Sequence, residues 1–569
     1  MAEEVEEKGK MAENESQSGG IDDLEMTEEG RDVITREGNS EATNNKEIPL
    51  VNRVLLPEIL EKIFGYLATK DLNNVMLVCK TWSNIGESPG LWSKFKITKN
   101  SQLSSKRLQV CQEIIVGHSW NGARNRGGDF NLGEISRNIL QRPAVKKICL
   151  SFWSAWEHMR RLDDDWFRNE GDFLIEAIAK VEELEIKGTI SGNRENKAEV
   201  NQGAITKCVV DAILDRPNNL KRLMLNKISY KMGVDSSRLF TALNKIQILE
   251  LDSYTEPDVN MLFKKMTQED TSVTSLSLFH NLVLSELEPD YLFNVYVFDK
   301  LKEFGVRACG ANHPPHILHR EPQMVKTLCE KIAAGSNLKI LRLENFHDLS
   351  QVSRSTLSRM VTQVEKLELS SQRRSPAFSA DDITTIVRAI ANNGNSNLKK
   401  LIINTDMGSV DSSLVVQMAT EVEDLELHFE VREDLGVMVL INGSRVREDQ
   451  LRAIFGALAI GQFRSRLTRP VGPGKLRRMK LFGCSYLHTL DAHILAGAVN
   501  NLESFELDIH SDLTVQQAWC ILTEAKMTTT LKRLRICVNN YASYLDPLVA
   551  EVGTIIPHLY IEKIKRWRF

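Results

Sequence analysis

Three histidines at three-residue spacing, His313, His316 and His319, are the first candidates for a metal site in this sequence. Imidazole nitrogens are common metal ligands, and a helix would bring this set to one side. Pro314 and Pro315 oppose such a helix, and no carboxylate pairs obviously with the three rings. A solvated loop is therefore the favoured interpretation and metal binding the alternative, so no metal site is predicted.

Nucleophilic catalysis finds little support in the sequence. The nine cysteines include no Cys-x-x-Cys pair, so neither a disulfide framework nor a zinc ribbon is indicated. The motifs G-x-x-x-x-G-K-S/T, H-E-x-x-H and G-x-S-x-G are absent from the sequence. We therefore predict a protein that is not an enzyme, with no catalytic residue and no cofactor. The cysteine usage favours a reducing compartment, the cytoplasm or the nucleus.

A cluster of aromatic residues suggests a binding surface instead. Trp153, Trp156 and Trp166 lie close together in the sequence, and tryptophan contributes strongly to many protein interfaces. They are weak candidates for contacting a protein substrate or another partner, and packing against neighbouring structure is the favoured alternative. The segment 373–376, Arg-Arg-Ser-Pro, is either a phosphorylation site or an ordinary polar turn.

The charge of the chain is unevenly distributed. Residues 1–47 contain fifteen acidic and five basic residues and no aromatic residue, whereas the remainder has a slight positive excess. The first segment cannot bury enough apolar surface to offset its ordering entropy. We predict a disordered acidic tail over 1–47 that is either solubilising or partner-binding. The excess elsewhere does not predict a nucleic-acid partner, and no run of about 18 apolar residues predicts a membrane span.

Residues 48–97 contain more apolar side chains than three short helices can bury. Apolar residues recur at helical spacing from Leu56 to Leu67 behind a proline suited to a first turn, and again from Leu72 to Trp82. So small a module buries little of its surface, so some of these side chains should be left for a partner. The alternative is that they only pack the module and its join to the next segment. The candidates are Leu56, Pro57, Ile59, Leu60, Ile63, Phe64, Leu67, Leu72, Val75, Val78, Trp82 and Trp92.

A repeat dominates the rest of the chain. The pattern L-x-x-L-x-L, with other apolar residues allowed, recurs at fourteen points from Val145 to Ile556, most of them at spacings near the period of leucine-rich repeats. Helical patterns lie between these points. We predict an α/β fold in which residues 145–569 form a curved leucine-rich-repeat solenoid with insertions, strands on the concave face and helices on the convex face. Residues 98–144 are a linker or a degenerate first repeat.

Departures from the regular repeat pattern lead to further predictions. Cys309 and Cys484 occupy the position that satisfies backbone groups at the bend of a repeat, so we expect packed thiols. The longest interval, 422–476, contains Asn442-Gly443, which is a hairpin signal. It predicts an extra element that is either a contact surface or a decoration. The basic, aromatic end 563–569 either caps the solenoid or folds into its concave face.

The segment 48–97 also contains a specific set of residues in order: Leu56-Pro57-Glu58-Ile59, Ile63-Phe64, Leu67, Asp71-Leu72, Leu77-Val78-Cys79-Lys80, Trp82, Leu91-Trp92 and Ile97. With these residues the segment resembles an F-box. An F-box followed by such repeats is similar to the F-box/leucine-rich-repeat family, the substrate receptors of SCF-type cullin–RING ubiquitin ligases. The resemblance implies that the F-box docks a Skp-type adaptor and, through it, the cullin–RING ligase, while the repeat arc binds a protein substrate for ubiquitylation.

A second function stays open at this point. The chain could instead be a leucine-rich-repeat scaffold whose F-box recruits no active ligase. The variable positions of the repeats, such as Lys221, Arg222, Lys339, Glu365 and Lys399, are mixed in charge. This mixture disfavours a nucleic-acid partner, and it does not identify the protein substrate.

Overall fold

The structure, a computed structural model, describes residues 57–564 with internal gaps. Predictions on the tail 1–47, Leu56, Trp92, Trp153, Trp156, the histidines and cysteine within 309–319, the segment 373–376, Asn442-Gly443 and the end 565–569 fall outside the described residues. The gaps are 66, 68, 89–90, 92–93, 98–110, 118–130, 152–163, 189–196, 227–233, 253–255, 283–294, 309–320, 335–336, 345–348, 371–377, 379, 393–396, 406, 429–432, 435–436, 439–446, 468–474, 485–486 and 509–510.

Three short helices open the described chain: α1 (Pro57–Phe64), α2 (Thr69–Met76) and α3 (Lys80–Gly86). Pro57 begins α1, where its missing N–H would have had no helical partner. Cys79 caps α3, because its Sγ accepts a hydrogen bond from the backbone N–H of Trp82 at 3.5 Å. The unit has its own small core, separate from the core of the rest of the chain.

A 17-stranded sheet follows. Its strands run parallel and pair in chain order, except that β16 and the short β17 both pair with β18. Its strands are β1 (Lys94–Ile97), β2 (Glu113–Gly117), β3 (Lys147–Ser151), β4 (Glu183–Lys187), β5 (Arg222–Asn226), β6 (Ile248–Asp252), β7 (Ser275–Leu282), β8 (Glu303–Ala308), β9 (Ile340–Glu344), β10 (Lys366–Ser370), β11 (Lys400–Asn404), β12 (Asp424–His428), β15 (Arg478–Phe482), β16 (Ser504–Leu507), β17 (Asp512–Leu513), β18 (Arg533–Asn539) and β19 (His558–Ile564). A separate antiparallel pair, β13 (Glu433–Asp434) and β14 (Val437–Met438), lies within the interval predicted to hold an extra element.

Helices between the strands form a second layer in which neighbours along the chain pack together. They are α4 (Leu132–Leu140), α5 (Asp164–Trp166), α6 (Asp172–Lys180), α7 (Lys197–Leu214), α8 (Ser236–Leu243), α9 (Glu256–Gln268), α10 (Val295–Lys300), α11 (Glu321–Ala333), α12 (Arg354–Gln363), α13 (Ala380–Ala391), α14 (Ser412–Glu421), α15 (Glu448–Leu467), α16 (Ala492–Val499), α17 (Val515–Ala525) and α18 (Asp546–Ile555). A π-helical turn, Phe167–Gly171, joins α5 to α6. None of the described helices is both long and apolar enough to cross a bilayer.

The repeat pattern explains the two faces of the sheet. In β9 and β10 the second and fourth residues are buried and the others are half-buried, because successive side chains of a strand point to opposite sides. The buried face packs on the helices in a core that runs without a break from Ile97 to Ile556. The other face carries mainly polar and charged side chains, and we call it the open face.

The sheet begins earlier than the periodicity predicted. β1 already pairs with β2, and β2 pairs with β3, so the parallel sheet starts at Lys94 and not near Val145. The segment predicted as a linker or degenerate first repeat contributes β2 and α4 to the two layers. Its signal was present in the sequence: Cys111, Ile114 and Val116 are spaced as in L-x-x-L-x-L, with cysteine in the first place, and all three are buried.

Buried glutamines join neighbouring units. Gln517 near the start of α17 donates from Nε2 to the carbonyls of Leu487 and Leu490, at 2.6 and 2.8 Å, and its Oε1 accepts from the backbone N–H of Thr514. Gln450 in α15 makes the same contacts with the preceding unit. Each side chain satisfies backbone groups of a turn that would otherwise be buried without partners.

Candidate interaction surfaces

The three-helix unit exposes part of its apolar side. Ile59 and Ile63 lie one turn apart on α1 and are 43% and 44% exposed. Val78, in the turn between α2 and α3, is also exposed, as is Pro57 at the start of α1. Exposing large apolar side chains to water is unfavourable in free energy, and clusters of such side chains commonly mark contact surfaces. These four residues are the part of the predicted adaptor-binding set that the unit presents to solvent.

Other members of the predicted set face inward. Leu60, Phe64 and Leu72 form the buried core of the unit, and Phe64 packs edge-on against Trp82 with ring centroids 5.3 Å apart. The structure places these three side chains inside the unit, where they hold the three helices together, and their role as adaptor contacts stays a prediction. Leu67, Val75 and Trp82 are partly buried against this core and have only part of their surface available.

One residue of this surface was missed. Leu77 is 83% exposed, more than Ile59, Ile63 or Val78. It falls outside the helical stripe that begins at Leu72, so the periodicity does not select it. The sequence did contain a signal for this exposure. Leu77 lies off the apolar stripe, so helical spacing does not place it in the core.

Trp166, the one described member of the tryptophan cluster, is buried. Its ring lies in the main core and contacts the ring of Phe167 at 5.3 Å. The structure thus places Trp166 where the packing alternative expects it, and its role as a substrate contact stays a prediction. The π-helical turn that follows places Gly171 close against both rings.

Ion pairs cross the open face from strand to strand. Lys147 of β3 lies between Glu113 of β2 and Glu185 of β4, at 3.2 and 3.6 Å. Farther along the sheet, Glu365 bridges Lys339 and Lys399 at 3.2 and 2.9 Å. Strands rich in cations thus alternate with strands rich in carboxylates, and no single-sign stripe crosses these strands.

The ring stack on β12 and β15 adds an aromatic element to this face. His428 stacks on Phe482 with centroids 4.5 Å apart and planes inclined by 11°. The Nε2 of His428 lies 2.9 Å from Oε1 of Glu426. This hydrogen bond, helped by the charge of Lys400, lowers the pKa of Glu426 although burial acts to raise it.

Several cysteines of the described residues are buried. Burial raises the pKa of Cys111 to about 11 and that of Cys329 to about 12, so these thiols are protonated at neutral pH. Cys484 is buried, as expected for a packed thiol. Within the described ranges no group of three or more His, Cys, Asp and Glu side chains is arranged to hold a metal ion.

Comparison with known proteins bears on the first unit. Residues 57–98 match the family model described as F-box-like. The match spans α1 to α3 and β1, and it confirms the F-box predicted in this part of the chain. No curated protein matches the chain.

Proposed function

We propose that this protein is the substrate-recognition subunit of an SCF-type cullin–RING ubiquitin ligase. The F-box-like domain docks a Skp-type adaptor, and the repeat array is a curved leucine-rich-repeat solenoid that binds a protein substrate on its concave, open face. The receptor itself is not catalytic. It acts by raising the concentration of substrate lysines near the ubiquitin-conjugating enzyme. Such a subunit works in the cytoplasm or the nucleus.

The observation that carries the adaptor-docking step is the exposed apolar pair Ile59 and Ile63 on an F-box-like domain. Three apolar side chains form the buried core in the described part of the domain, and the exposed pair is not among them. An apolar helix face of this kind is suited to a partner that buries it at the centre of an interface. The parallel strands in chain order, each followed by a helix in most units, support the solenoid part of the proposal.

The test is co-purification of adaptor and cullin from cell extract with the full-length chain. The double variant Ile59→Asp/Ile63→Asp places charges on the exposed pair and should lose both proteins. The matched control is Ile460→Asp/Ile494→Asp, which changes two isoleucines of 58% and 40% exposure on α15 and α16. The control should retain adaptor and cullin at the level of the unaltered chain.

Substrate ubiquitylation then separates a ligase receptor from a scaffold. Proteins retained by the Ile59→Asp/Ile63→Asp variant are substrate candidates, and their ubiquitylation should require the unaltered F-box. If the unaltered chain captures neither adaptor nor cullin, the ligase proposal fails and a scaffold without ligase activity takes its place. Equal capture by the F-box variant would show that α1 is not the docking surface.

A further inference from the structure

Two strands near the end of the sheet carry three cations each. β16 lies between these strands and carries Glu503, just before its first residue, and Glu506. We call the six cations the cationic patch. They are Arg477, Arg478 and Lys480 on and just before β15, and Lys532, Arg533 and Arg535 on and just before β18.

Each carboxylate of β16 is shared by two cations of the patch. Glu503 lies 3.3 Å from Arg477 and 3.5 Å from Lys532. Glu506 is shared in the same way by Lys480 and Arg533, at 3.1 and 3.4 Å. Two further carboxylates border the patch: Asp424 of β12 lies 3.6 Å from Arg478, and Glu562 of β19 lies 3.8 Å from Arg535. The six cations thus meet four carboxylates, and the patch keeps an excess of positive charge.

Five of the six cations are also more exposed than the carboxylates of β16, the exception being Lys480 at 29%. The side chains of Arg477 and Lys532 are 65% and 66% exposed, whereas those of Glu503 and Glu506 are 33% and 17% exposed. A molecule approaching the open face here meets the guanidinium and ammonium groups before it meets the carboxylates. The electrostatic potential at contact distance is set mainly by the nearest charges, because more distant exposed charges are screened by salt.

The opposite arrangement occurs at β4 to β6. There the cations belong to the central strand: Lys221 pairs with Glu182 at 3.0 Å, and Arg222 pairs with Glu250 at 2.6 Å. Carboxylates flank these cations on both sides, so this part of the sheet has no positive excess. Both places contain the same tetrapeptide, Leu-Lys-Arg-Leu, at 220–223 and at 531–534.

An aromatic ring borders the cationic patch. Tyr560 of β19 is 54% exposed, and the guanidinium carbon of Arg535 lies 5.3 Å from the centre of its ring. Tyrosine and arginine are enriched among the residues that contribute most to protein interfaces. Together they offer apolar contact beside positive charge, which suits a peptide better than a simple anion.

Resting on the proposed function, we infer that the cationic patch binds an acidic segment of the substrate protein, with carboxylate or phosphate groups as the anions recognised. β15 and β18 are two strand spacings apart, about 10 Å, so the segment presents anionic groups at about that separation. Glu503 and Glu506 between the two rows disfavour a continuous polyanion such as a nucleic acid. The net charge of the whole chain is −4, so the preference is local and not a consequence of overall charge.

The experiment measures fluorescence anisotropy with labelled peptides and the purified full-length chain at low salt. The probes are glycine–serine peptides in which every third residue is glutamate, phosphoserine, lysine or, as the neutral reference, serine. The glutamate and phosphoserine peptides distinguish the two sources of negative charge. An oligodeoxythymidine of similar length tests the nucleic-acid alternative.

The matched variants are Lys532→Gln/Arg533→Gln in the patch and Lys221→Gln/Arg222→Gln in β5. The first should weaken binding of an anionic peptide by at least about fivefold, and the second by less than about twofold. Each glutamate next to the first pair keeps its other cation, so the variant leaves no carboxylate unpaired. Melting curves verify that both variants are folded.

Two results would overturn the inference. One is that anionic peptides bind no more tightly than the lysine or serine peptides, or than the oligonucleotide. The other is that the two Lys-Arg variants lose affinity equally. Adaptor capture by the Lys532→Gln/Arg533→Gln variant is measured in parallel. Retained capture with lost peptide binding assigns the effect to the patch, whereas failure of adaptor capture by the unaltered chain bears on the proposed function alone.

Discussion

The F-box-like unit and the repeat array differ in how much of their apolar surface they bury within themselves. The unit has Leu60, Phe64 and Leu72 as its fully buried core and leaves Ile59 and Leu77 in water. In the array, the strands of the large sheet and the helices between them share one core that is continuous from Ile97 to Ile556. A small core with an apolar exterior is completed by a partner, whereas a stacked array is completed by its own neighbours.

The exposed side chains of the two regions differ as well. The large exposed apolar residues of the described chain lie either between Ile59 and Val78 or from Ile460 onward. Most of the open face between these regions is instead covered by charges paired across strands, as between Lys147 and Glu113. The difference fits the two proposals made above: burial of apolar surface against the adaptor in the first region, and recognition of charge in the second.

The largest effect should come from removing Phe64. Phe64→Ala deletes one of three core side chains and its ring contact with Trp82, at a cost of about 3–5 kcal/mol. The whole unfolding free energy of a unit of this size is little larger than that. Residues 57–86 should therefore unfold while the array remains folded, and hydrogen exchange followed by mass spectrometry should show fast exchange confined to α1–α3.

The control for this prediction is Ile59→Ala, since Ile59 is exposed and contributes little to the core. That variant should leave exchange in α1–α3 slow. If Phe64→Ala instead unfolded the array, the two regions would be one cooperative structure and the contrast between them would fail.

The next effect concerns the array. Gln517→Leu removes three hydrogen bonds and leaves the carbonyls of Leu487 and Leu490 and the N–H of Thr514 without this partner. Buried unsatisfied groups cost about 1–3 kcal/mol each, so a loss of roughly 3 kcal/mol is expected in urea denaturation of the array. Gln516→Leu, one residue away and exposed, should change the unfolding free energy by less than about 0.5 kcal/mol. Equal effects would mean that the glutamine does not join the units.

Much of the array could be predicted from the sequence, because its repeat pattern involves only residues that lie close together along the chain. Leu338, Leu341 and Leu343 of one repeat are all buried, as L-x-x-L-x-L requires. The same rule missed β2, where cysteine occupies the first leucine position. Sequence spacing thus predicts the strands well, but it depends on which residue types are admitted to the pattern.

The candidate surfaces could be predicted only in part. Ile59, Leu60, Ile63 and Phe64 lie on one apolar stripe of α1, yet two of them are buried and two are exposed. A stripe indicates which side of a helix is apolar, but how much of that side is covered depends on α2 and α3. The contacts of Gln517 with residues 27 and 30 positions away are likewise invisible to local patterns.

The smallest effect concerns the charges of the open face. Burial acts to raise the pKa of Glu506, but its hydrogen bond with Lys480 and the charges of Lys480 and Arg533 outweigh burial and hold the pKa below its ordinary value. A carboxyl whose pKa is lower in the folded than in the unfolded state stabilises the fold above the unfolded pKa, near 4.3 for glutamate. That contribution is lost as the pH falls through the folded-state pKa.

Glu506→Gln should therefore lower the unfolding free energy of the array most at pH 7, by less than about 1 kcal/mol because the paired cations are partly exposed. The difference from the unaltered chain should shrink as the pH falls below about 4, and also in high salt, which screens the pairs. Urea denaturation across this pH range measures it. A difference that grew towards acid pH would mean that burial dominates at Glu506, and the open face would then be stabilised by something other than its paired charges.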